Sequence, residues 1–344
     1  MTVPIRNLYY IFAYACGLMR CGRDIEVGAE ESPDVLDLLA RILTEELRTI
    51  ARRGLARDYV TFEDELATPR GKIDMQRSIA RQTRMHGRLA CSYDDLSINR
   101  PFNQVVKATA RLLLSCPTVA SGRRQDLAGV VAVLRQVSDV RAEWAMLRRI
   151  QLQGDLRRYR GVLAVCDLVL GSLLPTQGGS GARFADILND DQRMAAVFEE
   201  FLRNFYRLEQ REFRVGREVM RWDAVADAGS SAFLPVMKTD ITLRSPNRVI
   251  VADAKYYSNA FSGAGEQPKL HSDHLYQLFS YVEHAWRGPG CRVDGLLIYP
   301  MTGDPLSACF ILKHHGMRAE AVNLLLPWRQ IRQQLLNFLE PVPR

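Results

Sequence analysis

Residues 248–257 read Arg-Val-Ile-Val-Ala-Asp-Ala-Lys-Tyr-Tyr, four consecutive apolar side chains running into a charged triplet. A strand that is apolar on both faces must be covered on both faces, so this run belongs at the centre of a sheet and calls for an α/β arrangement. The preceding run, Met-Lys-Thr-Asp-Ile-Thr-Leu-Arg at 237–244, is separated from it by Ser245-Pro246-Asn247, a turn signal between two strand-like runs. Residues two apart share a face of a strand, so Asp253 and Lys255 point the same way as Val251, while Ala252 and Ala254 pack tightly into the other layer. Asp240, on the antiparallel neighbour, comes within reach of Asp253.

A charged pair at the end of a buried strand needs compensation, and a metal ion supplies it. Two hard carboxylates suit Mg²⁺, which takes oxygen ligands and keeps several waters. A lysine beside them can orient or help deprotonate a water, and the ion stabilises charge developing on a phosphate. The acid-x-Lys triplet alone is weak, because about one match arises by chance in a chain of this composition. Its competing reading is a cross-strand ion pair worth about 0–1 kcal/mol.

Further along, Gln277 and Tyr281 lie four apart in an apparent helix and share one face, from which they can reach the lysine or a substrate strand. Upstream, Met194, Val197, Phe198, Phe201, Leu202, Phe205 and Leu208 make the apolar stripe of a strong amphipathic helix. Glu199 and Glu200 flank that stripe on opposite sides, each about 130° from its centre, so periodicity leaves open which of them, or a water, completes the site. His271 and His274 read as polar residues at a helix start, and the adjacent His314 and His315 receive no role. No GxxxxGK[ST] loop is present, since Gly71-Lys72 is followed by Ile73, so the chain is not expected to hydrolyse nucleoside triphosphates alone.

Along the chain, helices are expected over 4–20, from Ser32-Pro33 to a stop at Gly54, and over 103–114, 124–144 and 158–174. Residues 59–93 break into small strands and loops around Thr68-Pro69-Arg70-Gly71, and 175–182 are the most linker-like stretch. From 191 the order is helix, strands including 213–221, helix, strand at 295–300, and a final helix near 328–338, a mixed α/β domain. A length of 344 residues suits two domains. The seven cysteines are dispersed without a CxxC pair, which fits reduced thiols rather than a disulfide framework or a zinc site. The longest apolar stretch, 161–174, contains Asp167 and falls short of the roughly 20 residues of a membrane span, so a cytoplasmic location is expected. A net charge of +7 permits nucleic-acid binding without demonstrating it.

Beyond these local patterns, VPIRNLYYIFAYACG, RRGLARDYV, RGKIDM, CSYDDLSINRPFNQVVKAT, LPVMKTDITLRS, VIVADAKYY, HLYQLFSYV and GLLIYP follow one another from near residue 3 to near residue 300. Together they resemble the McrC family, the nuclease subunits of McrBC modification-dependent (type IV) restriction systems, whose nuclease part is similar to the PD-(D/E)xK superfamily. The resemblance implies a mostly helical N-terminal domain (1–155) with a β insertion at about 59–93, and a restriction-endonuclease-like mixed-sheet domain (156–344). It implies a Mg²⁺-dependent endonuclease acting on modified double-stranded DNA, with Asp240 as the first acidic motif and Asp253-Ala254-Lys255 as the second. Gln277 and Tyr281 match the helix motif of the RecB-like branch, and Glu199 matches the upstream helix acid and third metal ligand. Thr239 stands where the motif has proline. The N-terminal half would contact a McrB-like hexameric AAA+ GTPase and stimulate it, with Arg70 and Lys72 as tip residues. The rival readings are a non-catalytic GTPase-activating adaptor and a stand-alone RecB-like nuclease.

Overall fold

Helix α1 (Ile5–Ala15) is apolar on nearly every side, and all residues from Asn7 to Tyr14 are buried. It stops before Gly17, whose φ of +68° suits glycine. In this computed structural model, residues 3–19, 34–141, 143–174, 183–184, 188, 190–223, 225, 230–256, 261–262, 269–286, 288, 290–301 and 305–343 are described. The chain divides into two units, Leu36–Phe184 and Ala185–Arg344, the latter joined by Met1–Val35.

The first unit opens with α2 (Val35–Arg53), which ends at Gly54 (φ +82°) as the sequence predicts. The expected cap at Ser32-Pro33 lies outside the described residues. β1 (Asp58–Leu66), β2 (Lys72–Ile73), α3 (Met75–Ala80) and β3 (Leu89–Ser97) form the insertion, an antiparallel sheet in the order β1-β3-β2. Helix α3 was not foreseen; Asp74 caps it by accepting from the Arg77 N–H at 2.8 Å. Gly71 (φ +66°) is required at the turn, because a Cβ there would come within 2.4 Å of the Ser92 carbonyl oxygen.

There follow α4 (Pro101–Leu114), α5 (Ser121–Val131), α6 (Trp144–Arg148), α7 (Arg160–Gly171), β4 (Leu173–Leu174) and β5 (Arg183–Phe184). The single helix expected over 124–144 is broken. Lys107 Nζ donates to the Val137 carbonyl at 2.6 Å, and the Ser138 N–H donates to Asn99 Oδ1 at 2.9 Å. These tertiary bonds replace the ones a continuous helix would make. The linker expected at 175–182 lies outside the described residues.

The second unit contains α8 (Asp191–Glu209), β6 (Arg214–Gly216), β7 (Val219–Met220), β8 (Met237–Lys238), β9 (Ile241–Arg244), β10 (Arg248–Ala254), β11 (Phe261–Ser262) and β12 (Lys269–Leu270). It continues through α9 (Ser272–Ala285), β13 (Arg292–Pro300), β14 (Ser307–Leu312), β15 (His315–Val322) and α10 (Trp328–Asn337). Six strands form one mixed sheet in the order β14-β15-β13-β10-β9-β6. β10, β13 and β15 run parallel, and the outer pairs are antiparallel. β10 is internal and buried, as its apolar run predicts. Val249 and Val251 meet Leu278, Tyr281 and Val282 of α9, while α8 packs along β9 and β10.

Three details differ from the sequence reading. The run 213–221 divides into β6 and β7, which belong to different sheets, and 237–244 divides likewise into β8 and β9. A β14–β15 hairpin follows β13; its turn contains Lys313 at φ +53° and has none of the glycine or asparagine that signals a tight turn. The division falls at 184/185 rather than at 155/156, and α1 joins the C-terminal unit. Tyr10 stacks on Trp328 at 4.3 Å, and Asn7 Nδ2 donates to the Leu324 and Leu326 carbonyls at 2.7 and 2.9 Å. The six cysteines among the described residues are free thiols, four of them buried. No helix among the described residues is long and apolar enough to cross a membrane.

Candidate active site

Five residues singled out in the sequence meet at the C-terminal end of β10. Asp240 sits at the break between β8 and β9, one residue before Ile241, which pairs with Ala252. Its Oδ2 accepts from the Ala254 N–H at 3.1 Å, which fixes the carboxylate against the end of β10. Asp253 is the last fully buried residue of that strand, on the α9 side of the sheet. Lys255 follows the strand; its N–H donates to the Ile298 carbonyl at 2.9 Å, so β13 continues to hold the backbone. Its Nζ lies 2.7 Å from Asp253 Oδ2 and donates to Gln277 Oε1, also at 2.7 Å. Gln277 Nε2 donates to the Tyr281 hydroxyl at 3.1 Å, and that hydroxyl donates to the Lys238 carbonyl at 3.1 Å. The chain of bonds therefore runs from the ammonium through α9 to the segment that presents Asp240.

Asp253 Oδ2 is buried without a hydrogen-bond partner, although the Lys255 ammonium 2.7 Å away pairs its charge. Burial and the neighbouring Asp240 raise the Asp253 carboxyl to about 6, against the lowering influence of Lys255. A buried, under-satisfied oxygen beside a second carboxylate is the donor set a hard divalent cation takes, so these residues fit Mg²⁺.

The raised value has a stability consequence of definite sign. Between its ordinary 3.8 and about 6, folded Asp253 keeps a proton that the unfolded chain has released. This contribution is present below about pH 4 and is lost as pH rises through 6, a change on the order of 3 kcal/mol. In chelator, urea unfolding between pH 4 and 7 should show this downward slope in the wild type and a flatter one in Asp253→Asn. Identical slopes would remove Asp253 as the source.

The other candidates are placed differently. Glu199 pairs with Arg203 Nη1 at 2.8 Å and with Arg217, and Glu200 pairs with Arg203 Nη2. Arg203 in turn donates to the Asp240 carbonyl at 3.0 Å. The structure thus joins Glu199 to the site through an arginine. Among the described residues, it does not gather Glu199 with Asp240 and Asp253 closely enough for the three to share an ion. Arg203, four residues after Glu199 on α8, was missed in the sequence, as was the role of His274. His274 shares the Gln277 and Tyr281 face of α9 and lies 3.0 Å from the Tyr299 hydroxyl. Burial and the Lys255 charge push its imidazole down to about 4, leaving it neutral at pH 7. His271 occupies the N-cap position of α9 without a side-chain cap bond.

In the insertion, Arg70 folds back onto β3. It pairs with Asp95 at 3.0 Å, holding that carboxyl below its ordinary range, and its guanidinium lies 4.6 Å from the centre of the Tyr93 ring. Lys72 opens β2 and is exposed.

The family described as McrBC 5-methylcytosine restriction system component matches residues 5–300. The chain is 28% identical over 340 residues to the type IV methyl-directed restriction enzyme EcoKMcrBC of Escherichia coli K12, covering 98% of each. Its fold is similar to that of a chain in a refined half-complex of Thermococcus gammatolerans McrB AAA+ hexamers with bound McrC. The TM-score is 0.55 at 19% identity, over 98% of this chain and 76% of that one.

Proposed function

The chain belongs to the McrBC 5-methylcytosine restriction family, and on that premise we propose that it is the DNA-cleaving subunit of such a system, acting with a McrB-like AAA+ GTPase. The observation that carries the proposal is the convergence of Asp240, Asp253, Lys255, Gln277 and Tyr281 on one strand end. The internal β10 flanked by α8 and α9 supports reading the second unit as a PD-(D/E)xK nuclease fold.

In this reading Asp240 and Asp253 would hold Mg²⁺, which when bound would supply charge stabilisation at the scissile phosphate. Lys255 orients the attacking water. Gln277 and Tyr281 fix the ammonium and tie it to the Lys238 carbonyl, in the segment that presents the first aspartate. Neutral His274 adds no competing positive charge beside Lys255. Glu199 acts through Arg203, which braces the Asp240 backbone, and would reach an ion only by releasing its arginines.

Partner contact is assigned to the 36–184 unit. Its β insertion exposes Tyr59, Met75, Ile79 and Met85, an apolar set suited to a protein surface. Arg70 and Lys72 flank the Gly71 turn beside it.

The test is reconstitution. With a McrB-type GTPase, GTP, Mg²⁺ and methylated duplex DNA, the chain should produce double-strand breaks. Omitting GTP, omitting methylation or adding EDTA should each abolish them. Absence of cleavage in the complete mixture, with GTPase stimulation present, would favour the adaptor. Cleavage by the chain alone would favour the stand-alone nuclease.

A further inference from the structure

The β14–β15 turn brings His314 and His315 to Glu283 of α9, and one ligand atom from each lies within 4.8 Å of the other two. His315 is fully buried, and both of its ring nitrogens face acceptors. Nδ1 lies 2.9 Å from the Val293 carbonyl oxygen, and Nε2 lies 3.1 Å from Glu283 Oε1. A neutral imidazole donates from one nitrogen only. If Nδ1–H serves the carbonyl, the Nε2 lone pair points at a carboxylate oxygen, and a cation is needed between them: a second proton or a metal ion.

The geometry suits the metal. Imidazole nitrogen and carboxylate oxygen both bind Zn²⁺ at about 2.0–2.2 Å, so two such ligands at tetrahedral to right angles stand roughly 3.0–3.5 Å apart. A ligating histidine ordinarily donates its other N–H to a carbonyl or carboxylate, as Nδ1 is placed to do here. The other Glu283 oxygen, Oε2, lies 3.3 Å from Lys313 Nζ, leaving Oε1 for the ion. The His314 ring centre is 4.1 Å from that of His315 and 4.2 Å from that of Trp286, a packed position that keeps one of its ring nitrogens within 4.8 Å of the other two ligand atoms.

We propose that Glu283, His314 and His315 form a second divalent-cation site, separate from the Asp240–Asp253 pair and taking Zn²⁺ or a similar borderline ion. Two imidazoles with one carboxylate select such ions over Mg²⁺, and three protein ligands leave the fourth position to water. Glu283 follows Tyr281 by two residues on α9, so the ion would clip the helix that carries Gln277 and Tyr281 to the edge hairpin.

Cobalt substitution tests this on the full chain. The visible absorption of tetrahedral Co²⁺ should saturate at one equivalent per chain, and should be lost on adding Zn²⁺ but not excess Mg²⁺. His314→Ala and Glu283→Gln should each weaken Zn²⁺ binding at least about tenfold and lose the bands. Asp253→Asn and Cys309→Ser should keep them, separating this site from the carboxylate pair and from the exposed thiol. Absence of bands in the wild type, or their persistence in both His314→Ala and Glu283→Gln, overturns the proposal. Since the wild-type spectrum alone can do so, misfolding of either variant does not shelter it.

Discussion

Asp253→Ala is expected to abolish DNA cleavage while leaving assembly with the GTPase and stimulation of GTP hydrolysis unchanged. The contacts of the side chain are confined to the site: Lys255 at 2.7 Å and the neighbouring Asp240 carboxylate. In the proposed site, losing one of two carboxylate ligands would remove most of the ion's hold. A metal's stabilisation of transition-state charge amounts to several kcal/mol, so the rate should fall by about three orders of magnitude or more. Asp253→Asn, which keeps the volume and loses the charge, should fall similarly and guards against a packing explanation. Cleavage and GTP turnover measured in the same reaction decide the matter. Loss of both together would sink the division of labour between the two units, and retained cleavage would sink the site itself.

The parts of this site that were legible in the sequence follow from local periodicities. Period 2 places Asp253 and Lys255 on one face, and the helical i,i+4 relation aligns Gln277 with Tyr281. The structure closes the gap between the two pairs with one bond, from Lys255 to Gln277. Glycine punctuation likewise marks the end of α2 at Gly54. What was not legible depends on contacts between distant residues. The place of α1 is set by Tyr10 against Trp328 and by Asn7 bonding to carbonyls more than 300 residues away. The break that presents Asp240 is held by the Thr239 N–H donating to the Glu218 carbonyl and by a hydroxyl contact between Thr239 and Thr242. Nothing in the alternating pattern of 237–244 marks it. Arg203 reads as one more charged position on an amphipathic helix until its partners on both sides are seen. The His314–His315 pair carries no signal in the sequence, because no glycine or asparagine marks the turn that Lys313 and His314 form.

Asp294→Ala is expected to cost stability rather than chemistry, by about 3–5 kcal/mol. Asp294 lies on β13 beside Ile250, near the start of β10 and so at the opposite end of that strand from Asp253. It is as buried as Asp253 but fully bonded. Its oxygens accept from Arg248 Nε at 2.8 Å, from Arg292 Nε at 2.9 and 2.8 Å, and from the Gly316 N–H at 3.2 Å. Gly316 is needed there, since a Cβ would come within 2.7 Å of Oδ1. The two guanidiniums also donate to the Leu339 and Val342 carbonyls, so the carboxylate anchors the C-terminal tail as well as the strand ends. Alanine would leave two part-buried like charges facing each other, the situation in which breaking a buried pair costs most. Urea unfolding followed through the second unit should show the loss, and hydrogen exchange should quicken at 339–342. At a temperature where the variant remains folded, cleavage should persist. A change below about 1 kcal/mol would contradict the assignment. Two buried aspartates on adjacent strands thus differ in kind: every oxygen of Asp294 is occupied by the protein, whereas Asp253 holds one oxygen without a hydrogen bond. An unsatisfied buried carboxylate costs the fold, and beside a second acid and a lysine that cost is what the proposed cation would offset.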